Sequence, residues 1–236
     1  MKHLGSWLAG AVDHLKNNWQ AHIPPGLVFV VATMVMALGF TAVMVVLGGV
    51  VGFLAAVVQD ERVVLIAAII GGIAFFAAII VMTVLIQPLW MAYVRYTIHL
   101  LRGEKPELGE LAWGYKHIAP VTGLIALTMA ATFIAMLFCY FPGFLVAAAL
   151  YFAMPVMADR ECGPIEAIKA SWELVKANFL DVFVLMLVVM VGSMVLSYVP
   201  FIGPMAMIIV FVVIQSVAYV QLTSGGEGSA APPAGQ

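Results

Sequence analysis

The side chains best placed to do chemistry in this sequence are uncharged polar groups in apolar surroundings: Gln87, followed by Pro88, and the neighbours Gln215 and Ser216. Each glutamine lies about two turns inside the end of a long apolar run. A buried amide there most often ties helices together by hydrogen bonds; the alternative is a polar cavity open to the cytoplasm, which Pro88 would widen by freeing a backbone carbonyl one turn earlier. Gln87, Gln215 and Ser216 are therefore the candidate polar cavity, suited to a weakly polar solute. Bond cleavage is a poorer fit. Hydrolysis needs an activated nucleophile or a metal-bound water beside a base. The sequence has no His-Glu-x-x-His, no Gly-x-Ser-x-Gly, no P-loop and no carboxylate pair within an apolar run.

Metal chemistry is equally unsupported. His3, His14, His22, His99 and His117 have no ligand-like spacing and read as surface or headgroup contacts. Met186, Met190 and Met194 recur at helical spacing, but no Cys or His shares their run, so they read as adaptable packing. Cys139 and Cys162 flank one apolar run, which leaves no disulfide framework. The sequence thus predicts a protein without enzyme activity, cofactor or metal.

These residues sit in an unusual composition. Of 236 residues, 64% are hydrophobic and 9% charged, with a mean hydropathy of +1.12. Soluble domains carry about 25% charged residues to keep their surfaces wet. An integral membrane protein is the only class that fits. A formal net charge of -2 without a basic run excludes nucleic acid as a partner.

A hydrocarbon core of ~30 Å takes about 20 apolar helical residues. The sequence offers six such segments, 26–58, 63–94, 121–141, 144–158, 182–199 and 205–222, joined as hairpins by Gln59-Asp60-Glu61-Arg62, Pro142-Gly143 and Pro200-Phe201-Ile202-Gly203-Pro204. The predicted fold is all-α: six transmembrane helices as three hairpins in one membrane domain, 1–222. Lys and Arg cluster before the first span, between the second and third, and between the fourth and fifth, with only Arg62 opposite. That asymmetry places both termini in the cytoplasm. The first apolar run is too long and begins too late for a secretory signal, and residues 223–236 have the composition of a disordered tail.

A short amphipathic stretch precedes each hairpin, at 3–20, 108–118 and 164–178. In the first, Trp7 and Trp19 share a face with Leu4, Leu8, Val12 and Leu15; in the third, Trp172 joins Ile165, Ile168 and Val175, opposite Glu166, Lys169, Glu173 and Lys176. These read as cytoplasmic interfacial helices anchored by Trp7, Trp19, Trp113 and Trp172. Shared lettering, Lys16-Asn17-Asn18-Trp19 against Lys176-Ala177-Asn178-Phe179, suggests a repeated unit of interfacial helix plus hairpin. The first hairpin is overlong, since its runs would reach about 50 Å. Gly48, Gly49 and Gly52 on one arm and Gly71 and Gly72 on the other fall at equal depth and predict close helix packing, with a break at these glycines as the alternative. Asp159 and Asp181, at span ends, read as interfacial carboxylates or helix caps.

Several motifs form a further pattern: Gln87-Pro88-Leu89-Trp90 leading to Leu101-Arg102-Gly103-Glu104; Phe141-Pro142-Gly143; Ala158-Asp159-Arg160 followed by Glu166-Ala167-Ile168-Lys169-Ala170-Ser171; and the final Pro-Gly-Pro turn. Over about residues 88–222 the chain resembles poorly characterised bacterial multi-pass integral membrane proteins, similar to the membrane domain in front of some glycerophosphodiester phosphodiesterases. The resemblance implies a bacterial inner membrane. It carries no catalytic residue. The expected role is a scaffold or accessory subunit that binds membrane lipids and a membrane-protein partner or second copy, with transport of a lipid-like or weakly polar solute as the alternative.

Overall fold

The computed structural model describes residues 3–58, 60–138, 140–196, 198 and 202–224. Lys2, Gln59, Cys139, Pro200, Phe201 and 225–236 of the predicted tail lie outside the described residues. In chain order the elements are α1 (Leu4–Val58), α2 (Glu61–Leu101), a 3-10 turn (Leu108–Ala112), α3 (Trp113–Lys116), α4 (Ile118–Phe138), α5 (Tyr140–Ala149), α6 (Ala153–Arg160), α7 (Pro164–Lys176), α8 (Phe179–Leu196) and α9 (Ile202–Ser224). No strand occurs among the described residues. Six stretches of helix, the fourth interrupted, are long and apolar enough to cross a membrane: Leu4–Val58, Glu61–Leu101, Ile118–Phe138, Pro142–Arg160, Phe179–Leu196 and Ala206–Ser224. The chain is an all-helical protein of the membrane-spanning class.

The chain divides into two units, residues 1–27 with 88–236, and residues 28–87. In the first, α4 packs on α5 and α7, α6 on α7 and α9, and α8 on α5, α7 and α9. The core contains Tyr93, Val94, Leu124, Phe152, Leu185, Val213 and Tyr219. Glycines set two close approaches. A Cβ on Gly114 would sit 1.9 Å from the carbonyl oxygen of Pro88, so α3 lies directly on the α2 backbone. A Cβ on Gly10 would sit 2.8 Å from Nε2 of Gln221, bringing the start of α1 against α9. Gly103, at φ +82, closes α2 in the left-handed conformation that glycine adopts without a Cβ penalty.

Several elements differ from the sequence expectation. The predicted interfacial helix 3–20 and span 26–58 are two helices that run together as α1, and the kink between them falls at Asn18 (φ -125, ψ 17) rather than after residue 20. Pro24 and Pro25 lie inside it, and the Ala21 carbonyl that Pro25 cannot pair with accepts the Tyr96 hydroxyl at 3.2 Å. The predicted stretch 108–118 is a 3-10 turn plus the one-turn α3, not a single helix. The fourth span is not continuous: α5 ends at Ala149 and α6 begins at Ala153.

The second unit comprises the arms of α1 and α2 around the 59–62 tip. Phe40 and Phe75 meet across it with ring centroids 5.8 Å apart. The glycines expected to pack helices closely do not do so within the chain. A Cβ on Gly48, Gly49, Gly52 or Gly72 would meet nothing within 4 Å, and one on Gly71 would make only an ordinary contact, 3.6 Å from Val51. These glycines face open space, and the contact between the arms is made by larger side chains, Phe40 on Phe75. Both arms run through the glycines without a break in helix.

Candidate functional site

The break in the fourth span is where polar side chains replace helical hydrogen bonding. The Phe152 N–H donates to Oγ of Ser171 at 3.2 Å, and that hydroxyl donates to the Ala149 carbonyl at 2.9 Å. Nε2 of Gln215 donates to the Tyr151 carbonyl at 2.7 Å. Backbone groups in an apolar setting must be paired internally, so α7 and α9 each lend one side chain to make the break possible. Ser171 and Ser216 are fully buried, and Gln215 is nearly so. Three buried polar atoms nearby have no partner among the described residues: the Tyr151 hydroxyl, Oε1 of Gln215 and Oγ of Ser216.

Beside the break lies an open, almost wholly apolar cavity of about 680 Å³, walled by α4 and by residues of α5, the break and α6, Tyr151 among them. Neither Gln215 nor Ser216 lines it. Gln215 therefore acts first as a tie between helices, and Ser216 is packed beside it. Gln87 is half-buried at the last position of the second unit, whereas Pro88 is buried at the first position of the other, under Gly114. Sequence reasoning missed Ser171 and Tyr151, since a serine on an amphipathic helix and an aromatic in a span are ordinary residues.

A second polar cluster joins α2, α6, α9 and α3. Arg102 donates from Nη1 and Nη2 to both Asp159 oxygens, at 2.5 and 2.8 Å, and the Tyr219 hydroxyl donates to Asp159 Oδ2 at 2.8 Å. This two-pronged geometry is the strong form of a charge-assisted bond. Arg95 donates to the Ala158 carbonyl at 2.7 Å, pairs with Glu161 at 2.8 Å and lies 4.8 Å from the Trp113 ring centre. The Trp113 indole N–H reaches Glu161 at 3.2 Å. Glu161 ends α6 at φ 51, a conformation uncommon outside glycine. Asp159 is thus a helix tie, more specific than an interfacial carboxylate. Asp181, in the first turn of α8, is buried and accepts the His3 N–H at 3.4 Å.

The histidine expectation is corrected at His22, which is fully buried and not at a surface. The Asn18 bend brings residues eight apart together, so that Nε2 of His14 and Nε2 of His22 lie 3.0 Å apart. The Tyr93 hydroxyl lies 3.4 Å from Nδ1 of His22, and the Asn18 amide 3.4 Å from Nδ1 of His14. Both histidines precede the uncharged run that begins at Gly26. Burial lowers the pKa of His14; burial and then the charge of His14 push His22 down to about 4.

The four tryptophans chosen as anchors separate. Trp7 is 1% exposed and packs in the core, because the buried face of α1 runs through Trp7 and Ala11; it is not a surface anchor. Trp113 is half-buried under Arg95. Trp19 and Trp172 are exposed, at 55% and 48%. On α7 the inward stripe is Ala167, Ser171 and Val175, all fully buried, rather than the large apolar residues. Ile165 and Trp172 face outward, bordered on the helix by Lys169 and Lys176, which are exposed. Among the described residues no group of three or more His, Cys, Asp or Glu is placed to hold a metal ion.

No curated protein and no solved structure matches the chain. Residues 110–231, more than half of the chain, match a family described as a domain of unknown function (DUF7847). The matched segment holds the broken span, both of its side-chain ties, and Asp159, Glu161 and Tyr219; the 28–87 unit lies outside it. The chain accordingly belongs to the DUF7847 family.

Proposed function

We propose that this protein is a non-enzymatic, multi-pass scaffold or accessory subunit that holds lipid and a partner protein at the cytoplasmic face of a bacterial inner membrane. The observation that carries the reading is the outward face of α7, where Ile165 and Trp172 stay exposed while small residues turn inward. An aromatic next to lysines suits the boundary between headgroups and acyl chains. The Lys and Arg distribution supports cytoplasmic termini, and the Pro-Gly turns support three hairpins, each led by an interfacial segment. The resemblance to membrane domains preceding phosphodiesterases supports a bacterial inner membrane.

The test is recovery of the tagged full chain from its native membrane in mild detergent, comparing wild type with Ile165→Ser/Trp172→Ser. A stoichiometric protein partner retained by wild type and reduced at least fivefold in the variant, at equal yield, is the expected result. Retention of the same partner by both overturns the assignment to α7. A second reading, passage of a lipid-like or weakly polar solute, is favoured by the cavity beside the broken fourth span, since discontinuous helices are where membrane transporters bind their cargo. Gln215→Leu is a poor probe of it, because that amide also holds the break together.

A further inference from the structure

Four polar side chains form one row of hydrogen bonds at the bend of α1: Asn18, His14, His22 and, from α2, Tyr93. The two histidine ring centres are 5.2 Å apart, about two ring radii more than the 3.0 Å between their Nε2 atoms, so these nitrogens meet head-on. Imidazoles in that geometry hold one proton between them, because two lone pairs or two N–H groups would repel. The row sets the order. With the Asn18 amide donating to Nδ1 of His14, His14 carries its proton on Nε2 and donates it to Nε2 of His22, whose own N–H at Nδ1 faces the Tyr93 hydroxyl.

The pair spans a joint. Eight residues of straight helix rise about 12 Å, so the contact depends on the non-helical Asn18 between the rings and is lost if α1 straightens. On the far side of the joint His22 is fully buried. On the near side residues 4–17 turn Trp7 and Ala11 into the core, 1% and 2% exposed. No opposite charge stands ready for a proton on His22. From α1, Asp13 and Lys16 flank His14 and are exposed. From α2, Tyr93 faces His22 and Tyr96 holds the Ala21 carbonyl, while Glu110 of the 3-10 turn acts on Tyr96. From α9 come the uncharged Gln221, at Gly10, and Ile209, at Gly26. The charge that bears on His22 is that of His14, and it repels.

We infer that the His14–His22 pair is an acid-released latch on the N-terminal helix. Closed, the shared proton holds the two pieces of α1 at their bend; a proton taken from the medium by Nε2 of His22 sets N–H against N–H, parts the rings and lets residues 4–17 lift from the bundle, uncovering Trp7 and Ala11. The latch goes beyond the scaffold reading and does not depend on it.

The test places the full chain in nanodiscs and compares Ala11→Cys with Val12→Cys, a position 49% exposed in the closed state. Each is modified by a charged methanethiosulfonate and read on the peptide that holds it, and the ratio of the two rates cancels the effect of pH on the thiolate. From pH 7 to pH 5 that ratio is expected to rise about 20-fold, since His22 takes up a proton near 6.5 when free and only near 4 when closed. His22→Gln gives His14 a partner that does not titrate and should remove most of the rise. His14→Leu removes the partner and should raise the ratio at pH 7 about fivefold, the worth of one neutral hydrogen bond. An acid response in His22→Gln as large as in the parent overturns the inference. So does a parent-like ratio at pH 7 in His14→Leu, which makes His22 a buried residue and not half of a latch. If Ala11→Cys is not monodisperse, magnetic resonance of the wild type with isotope-labelled histidine decides at pH 7. One protonated and one bare Nε2, correlated across their hydrogen bond, is the expected result, and the lack of that correlation overturns the latch.

Discussion

The two units of this protein are written in the same apolar residues, yet they are organised differently. Across residues 88–224 a few polar side chains decide the packing: Ser171 and Gln215 serve a broken helix, and Asp159 collects Arg102 and Tyr219. Across residues 28–87 the hydroxyls of Thr33, Thr41 and Thr83 each bond back to a carbonyl of their own helix, and Leu38, Val45, Phe53, Ile73 and Phe76 are all widely exposed. In a membrane, apolar matter has no reason to leave lipid for protein, because the surroundings are as apolar as leucine. Uniqueness of packing then comes from close backbone approach and from polar ties. The first unit has both, and the second lets lipid meet its side chains.

The sharpest way to break this contrast is at glycine. Gly114→Ala forces a Cβ to 1.9 Å from the Pro88 carbonyl oxygen, where only backbone movement gives relief. A loss of about 3 kcal/mol is expected, read as a lower thermal unfolding midpoint in detergent. Gly48→Ala and Gly52→Ala open onto free space and should be neutral or stabilising by up to ~1 kcal/mol, the helix propensity gained. Equal effects at the two sites would remove the distinction between the units.

A smaller effect is expected at the polar tie. Asp159→Ala leaves Arg102 and the Tyr219 hydroxyl without their shared acceptor. Because Arg102 is partly exposed, the loss is set below that of a fully buried pair, at about 2 kcal/mol. Glu61→Gln at the tip of the other unit should change the same midpoint by less than ~0.5 kcal/mol. The double variant Asp159→Ala/Arg102→Ala should recover part of the loss, since the stranded guanidinium goes with its partner.

How much of this was legible in sequence varies with the physics involved. The all-helical class and the six long apolar helices follow from composition and run length, which depend only on the solvent. The break at 150–152 was not legible, because the Ser171 and Gln215 that permit it come from other helices and bond to backbone, which has no sequence signature. The buried Trp7 was misplaced for a related reason: an amphipathic pattern tells that a helix has an apolar face, not which part of it meets protein and which meets lipid. On α7 the same ambiguity split the apolar face, since Val175 is buried with Ala167 and Ser171 while Ile165 and Trp172 stay exposed. Arg102 and Asp159 lay within the motifs that carried the family resemblance, yet their pairing across 57 residues needed the fold.

The least drastic probe is acid, and it should separate the units without a mutation. His22 is buried with its folded pKa near 4, well under the ordinary histidine value of 6.5. Between those values an opened N-terminal segment takes up a proton that the closed one refuses. The stabilisation is therefore complete above pH 6.5 and is lost as pH falls toward 4, by up to about 1.4 kcal/mol per pH unit. Hydrogen exchange from pH 7 to pH 5, corrected for the intrinsic rate, should show residues 10–24 of α1 opening faster as the medium is acidified. The arms at 30–57 and 64–86 contain no titratable residue and should keep their protection. His22→Phe should remove the larger part of the pH dependence of the first segment, since a phenyl ring fills the same site without a proton to gain and leaves only the smaller shift of His14. If the segment opens equally in that variant, the acid response resides elsewhere, with His14, whose pKa burial also lowers, as the next group to substitute.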